Sequence, residues 1–172
     1  MKKLSLLLLL LSVSSLFSQR SIQTINSAWE FQLENSAKTS IVNIPHTWNA
    51  EDAFRDGKEY FRGKGTYQKT IFAPETWEQK QIFLKFEGSN QITSLFVNDK
   101  KIGEHRGGYT GFVFNISEAL KFGQTNQIKI EVDNAHNTDI PPLDADFNFY
   151  GGIYRDLELI LTDAVHFELE NE

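Results

Sequence analysis

The 172-residue chain contains no cysteine, a single methionine and only four prolines. Without cysteine, disulfides, thiolate metal centres and cysteine nucleophiles are excluded together. Long apolar runs are missing too. The longest, Leu6 to Leu11, falls far short of the roughly 20 residues that a membrane-spanning helix needs. Basic charge is scarce: 17 Lys and Arg stand against 23 Asp and Glu, a net charge of −6. That balance disfavours nucleic acid or an anionic membrane surface as a partner. No segment sustains a helical apolar period beyond about two turns. The four histidines, His46, His105, His136 and His166, are scattered, without the HxH or HExxH spacing that a zinc site requires. An EF-hand loop, a GxSxG elbow and a phosphate-cradling glycine loop are likewise absent.

What is present begins with an export signal. Met1-Lys2-Lys3, the leucine run and a serine-rich stretch from Ser12 to Ser18 form a basic, an apolar and a small-residue region in that order. Residues 1–18 read as a signal peptide cleaved after Ser18, which sends the protein to the periplasm or outside the cell. The mature chain then keeps 15 basic residues against 23 acids, a net charge of about −8. Residues 19–172 suffice for one domain with a sizeable core and no covalent staples.

The rest of the chain alternates in the manner of strands. Runs rich in β-branched and aromatic residues recur between Gly, Asn, Asp and Pro clusters. They predict strands at Ala28–Leu33, Thr39–Ile44, Gly65–Phe72, Gln81–Phe86, Thr93–Val97, Lys101–Arg106, Gly111–Asn115, Gln127–Val132, Tyr154–Leu161 and Val165–Leu169. Ile82, Leu84 and Phe86 share one face, as do Ile128, Ile130 and Val132, which suits antiparallel sheets with one wet side. Asn98, Asp99 and Lys100 mark a hairpin turn, and "NISEAL" a brief helical turn ended by Gly123. About ten short strands predict an all-β fold, a β-sandwich of jelly-roll type.

Two long irregular segments interrupt this pattern, Pro45 to Gly65 and Asp133 to Gly152. Their length points to function, and both are rich in rings and acids. If they meet at one end of the sandwich, they build a shared rim. Asp146 and Asn49 supply hydrogen-bonding partners for sugar hydroxyls, beside Trp48, Phe147 and Phe149, whose rings suit the apolar face of a pyranose. Packing is the competing use of those rings; Phe147 is expected in a loop contact and Phe149 or Tyr150 in the core. Asp144 and Asp146 lie about 7 Å apart along an extended chain. They suit oxygen ligation of a hard cation, an acid pair acting on a glycosidic bond, or plain turn capping, the expectation for Asp144.

These landmarks carry a resemblance. "SAWEFQL", "NIPHTWN", "GKGTYQKTI", "LFVNDKKIGEHRGGYTGFVFNIS", "NQIKIEVDN" and "DADFNFYGGIYRDLELIL" follow one another as in the N-terminal sugar-binding domain of glycoside hydrolase family 2. That group holds β-galactosidases, β-glucuronidases and β-mannosidases. The resemblance implies a galactose-binding-domain-like fold and, at Asp146, a carboxylate that contacts the sugar and helps hold a cation. It implies a substrate role for an asparagine of the first long segment, matched here to Asn49. Gly151 and Gly152 would permit a tight bend, and Arg155 would serve an ion pair or hydrogen bond. The two catalytic glutamates of such enzymes belong to a barrel beyond an immunoglobulin-like domain. The acidic "FELENE" end would begin the link toward them. The implied substrate is a β-galactoside-like carbohydrate, and the implied partners are those downstream domains. A stand-alone carbohydrate-binding module is the alternative.

Overall fold

The computed structural model describes residues 20–54, 61–142 and 148–169. The leader, Asp144, Asp146 and Phe147 lie outside the described residues. Ten strands run in chain order: β1 (Ser21–Thr24), β2 (Trp29–Leu33), β3 (Thr39–Val42), β4 (Lys64–Ala73), β5 (Lys80–Phe86), β6 (Ile92–Val97), β7 (Lys100–Arg106), β8 (Phe112–Asn115), β9 (Gln124–Asp133) and β10 (Leu157–Asp163). They form a four-stranded sheet, β1-β10-β5-β8, against a six-stranded sheet, β3-β2-β4-β9-β6-β7. Every strand pairing is antiparallel. The expected jelly-roll β-sandwich is the fold observed.

Alternation decides which faces meet. Ile82, Leu84 and Phe86 of β5 are fully buried, as are Ile128, Ile130 and Val132 of β9. They enclose the core with Trp29, Phe31, Tyr67, Leu95 and Phe112. Phe86 stacks on Phe112 with centroids 4.6 Å apart. The Trp29 indole N–H, deep in this core, donates to the Ile25 carbonyl at 2.8 Å, so burying the ring strands no donor. At the β6–β7 hairpin, Asn98 and Asp99 take φ of 50° and 64°, the left-handed pair that a two-residue turn with the twist of its strands demands. The "NISEAL" turn is a 3-10 turn over Ser117–Ala119.

Two strand expectations are corrected. Val165–Leu169 is not a strand: the chain bends after β10, Val165 and Phe167 are exposed, and the His166 ring turns onto Phe83 at 5.4 Å. Its alternation leaves the apolar Val165 and Phe167 exposed and packs the ring of His166 instead. Conversely, Ser21–Thr24 pairs with β10 although all four side chains are exposed. Backbone hydrogen bonds alone place it, so no apolar pattern announces it.

Candidate functional site

The two long irregular segments do meet, and backbone hydrogen bonds align them. His46 N–H donates to the Ile153 carbonyl at 2.8 Å and Trp48 N–H to the Gly151 carbonyl at 3.2 Å. Gly152 closes a bridge with Asn90. Two glycines make this approach possible for different reasons. Gly152 adopts φ +130°, and a Cβ there would collide with the His46 carbonyl. Gly151 needs no unusual φ, but a Cβ on it would strike the Trp48 ring. The expected tight bend thus resolves into one conformational requirement and one steric requirement.

Two fully buried asparagines then fasten the segments together. Asn49 Nδ2 donates to the carbonyls of Phe61 (2.9 Å) and Phe149 (3.1 Å), while its Oδ1 accepts from Gly151 N–H at 3.0 Å. Asn134, which the sequence reading did not single out, donates from Nδ2 to the same Phe149 carbonyl at 2.9 Å. Its Oδ1 accepts from Gly63 N–H at 2.9 Å. Buried Asp52 accepts from Phe61 N–H at 3.2 Å. Irregular backbone lacks ladder partners, and these side chains supply them. Asn49 therefore spends its amide on three backbone groups in this structure, and no sugar hydroxyl reaches it unless the segments part. The signal for Asn134 was weak, a lone Asn ending a strand.

Trp48 is half-buried and stacks on Phe31 with centroids 5.9 Å apart. Its indole nitrogen is buried without a partner among the described residues, which is uncommon for a group that strongly prefers one. A shallow cavity of about 350 Å³ lies alongside, lined by Phe31, His46, Trp48, Glu51 and Asp52 among others. Burial lowers the His46 pKa from its ordinary value, and its Nδ1 shares a 2.8 Å hydrogen bond with the Tyr67 hydroxyl. Burial also raises Tyr67, which stays protonated.

Among the described residues of the rim, Arg62 is a cation fixed in place. Arg62 donates from Nε to the Asn134 carbonyl at 2.7 Å, and its guanidinium carbon lies 4.5 Å from the centroid of the buried Phe149 ring. Phe149 is thus the expected core ring, whereas Tyr150 is exposed. Arg155 has no side-chain ion pair or hydrogen bond among the described residues; it lies 5.7 Å over Tyr154. The expectation of such a bond is corrected, because the Arg155 backbone N–H, not its side chain, ties this bend to Gly88. Among the described residues no group of three His, Asp or Glu gathers to hold a metal. Asp146, the residue expected to do so, lies outside them.

Comparison with known proteins fits this geometry. Residues 14–163 match the family described as "Glycosyl hydrolases family 2, sugar binding domain". A β-glucuronidase of Bacteroides fragilis is 45% identical over 160 residues, 92% of this chain and 23% of the relative. The crystal structure of a Bacteroides uniformis β-glucuronidase superimposes with a TM-score of 0.76 at 37% identity, covering 83% of this chain and 18% of that one. A putative β-galactosidase structure from Bacteroides fragilis gives 0.77 at 37% identity, over 84% and 23%. The chain thus spans less than a quarter of the length of these relatives.

Proposed function

The chain belongs to glycosyl hydrolase family 2 as its sugar-binding domain, and from that premise we propose that it is the substrate-binding N-terminal part of an exported β-glycosidase. The enzyme it serves cleaves terminal β-glycosidic bonds with retention, using two glutamates about 5–5.5 Å apart on a downstream barrel. Its substrate is a β-galactoside, as the sequence motifs suggest, or a β-glucuronide, as the names of several relatives suggest. Residues 1–18 direct export to the periplasm or beyond.

One observation carries this reading: residues 148–153, which follow directly on the segment holding Asp146, run along residues 46–49. Trp48 and residues 148–153 thus share one end of the sandwich, which supports the reading. In the proposal Asp146 contacts a sugar hydroxyl and Trp48 offers a face to the pyranose. Asn49 acts as a positioning residue that keeps the rim closed.

The test uses a polypeptide carrying this domain and the barrel, assayed on nitrophenyl β-galactoside and β-glucuronide. Asp146→Ala should lower kcat/KM at least about tenfold, equivalent to about 1.4 kcal/mol of transition-state stabilisation, with the sandwich still folded. Unchanged kinetics would remove Asp146 from the reading. The cavity beside Trp48 favours a second reading, a binding module that works alone. That module should show saturable heat with a neutral pyranoside in the absence of any barrel.

A further inference from the structure

Resting on the sugar-binding reading, we propose that His46 is a ligand-contacting residue of the cavity beside Trp48, held by Tyr67 with its hydrogen on Nε2, from which it donates to a hydroxyl oxygen of a pyranose. The chain of hydrogen bonds starts in the core. Tyr67 is fully buried, and burial keeps its hydroxyl protonated. The Ile153 N–H donates to that oxygen, and His46 Nδ1 lies 2.8 Å from it. If Nδ1 carried the hydrogen, the oxygen would receive two donors, and its own hydrogen would have no acceptor among the described residues. A buried donor left unmet is costly. The hydroxyl therefore donates to Nδ1, and the imidazole, kept neutral by burial, carries its hydrogen on Nε2. Gly152 lets the rim close over this pair, since a Cβ there would meet both the Tyr67 hydroxyl and the His46 carbonyl.

The same histidine borders open space. It is half-buried and lines the cavity of about 350 Å³ together with Phe31, Thr47 and Trp48. With Nδ1 given to the core, the nitrogen that it can offer the cavity is Nε2. Two rings fix its orientation: Phe31 meets it edge-on at 4.6 Å and Tyr67 at 5.7 Å. Trp48 stacks on the same Phe31, so a fixed donor and a half-buried aromatic ring border one cavity. A pyranose answers both, with hydroxyl oxygens that accept and an apolar face that suits a ring. A donor already held in one tautomer and one orientation loses little freedom when the ligand arrives. The other histidines are placed differently. His166 turns Nδ1 to the Asp163 carbonyl, which can only accept, so Nε2 of its neutral ring is an acceptor. His105 has its Nε2 buried, and His136 is exposed and lines none of the described cavities.

The experiment is nitrogen-15 NMR of this chain, which reads the tautomer of His46 from its two ring nitrogens and follows the Trp48 indole signal as methyl β-galactoside is added. The free protein should show hydrogen on Nε2 alone, and the sugar should shift Nε2 and the Trp48 signal saturably. His46→Asn, whose amide oxygen can replace Nδ1 toward Tyr67 but which has no donor at Nε2, should weaken binding about tenfold, the worth of one hydrogen bond. His46→Gln, which returns an amide near the Nε2 position, should recover part of that loss. Tyr67→Phe should populate both tautomers and weaken binding by a smaller factor. Unmoved Leu84 and Ile130 amides would show that the sandwich survives in each variant. The tautomer is read on the unaltered chain, so hydrogen found on Nδ1 sinks the proposal even if a variant fails to fold. Galactoside binding that moves Trp48 but is indifferent to His46→Asn would also defeat it, and the sugar-binding reading would stand without this contact. Equal affinity for glycerol would reduce the cavity to general polyol binding and overturn the proposal. Saturation by neither compound would remove this cavity as a sugar site, while Asp146→Ala in the polypeptide with the barrel decides the wider reading separately.

Discussion

The body of the sandwich and its looped end are both buried, yet they are held by different forces. Between the sheets, contact is apolar: Trp29, Tyr67, Phe86 and the isoleucines of β9 exclude water, and ladder hydrogen bonds satisfy the backbone. Among the described residues of the looped end, one isolated bridge takes the place of a ladder. There Asn49, Asn134 and Asp52 add side-chain hydrogen bonds to backbone groups, spanning 102 positions for Asn49, 71 for Asn134 and 9 for Asp52. Apolar burial tolerates small shifts in position because it is non-directional. Hydrogen-bonded loops do not, since an angle lost is a bond lost. The rim is thus the part of the molecule where placement is specified most closely, as a binding site requires.

The sharpest way to break the comparison is to strike each region at its centre. Trp29→Ala removes a fully buried ring from the core and should cost about 3–5 kcal/mol, the range for a large aromatic truncated in a packed interior. Urea unfolding should show the loss at every probe at once. A loss below about 1 kcal/mol would mean that the sheets do not share one core.

Asn49→Ala should cost less and act locally. Gly151 N–H and the Phe61 carbonyl lose their partner, while the Phe149 carbonyl keeps Asn134. Leaving two buried groups unmet costs roughly 2–4 kcal/mol. Hydrogen exchange at Gly151 should speed up while amides in the middle of β4 and β9 keep their protection. If β4 and β9 exchange faster by the same factor, the two regions are one cooperative unit and the contrast drawn above fails.

The same contrast explains how much could be read from sequence. Strands that bury alternate residues were legible, because Ile128, Ile130 and Val132 cannot face water together without a large penalty. Their ends were not, since β9 extends to Gln124 through polar residues, exposed Gln124 and Thr125 and buried Asn126, which no apolar alternation announces. The meeting of the two irregular segments was legible only as a condition. Composition says that rings and acids must be placed somewhere, but not that Asn134 reaches the carbonyl of Phe149. Asn49 shows the opposite limit. Its residue type suits a sugar contact, and the fold instead consumes it within the backbone, a choice that depends on partners about 100 positions away.

The smallest expected effect is a pH dependence, and it tests the two regions together. His46 belongs to the rim and His105 to the body, where its ring stacks on Phe112 at 3.9 Å with Nε2 buried and without a partner among the described residues. Burial holds both below the ordinary imidazole value of 6.5. In the unfolded chain each would bind a proton at about pH 6.5, whereas the folded protein resists it. The unfolded state therefore holds more protons just below that pH, and stability must rise with pH through this window. Their contribution is complete above pH 6.5 and is lost as the solution is acidified below it. Glu104, lowered mainly by its hydrogen bond to Lys101, acts in the same direction but only below the carboxylate value of 4.5, so measurements between pH 5 and 7.5 separate the two. Melting temperature should fall on acidification from pH 7.5 to 5, and His105→Phe, which keeps the stacked ring and removes the titration, should flatten the fall. His46→Gln should flatten it further, and because His46 lies against Phe31 and Tyr67, the change should be felt first in amides from His46 to Asn49. A slope that persists undiminished in the double variant would assign the pH dependence to groups outside both regions.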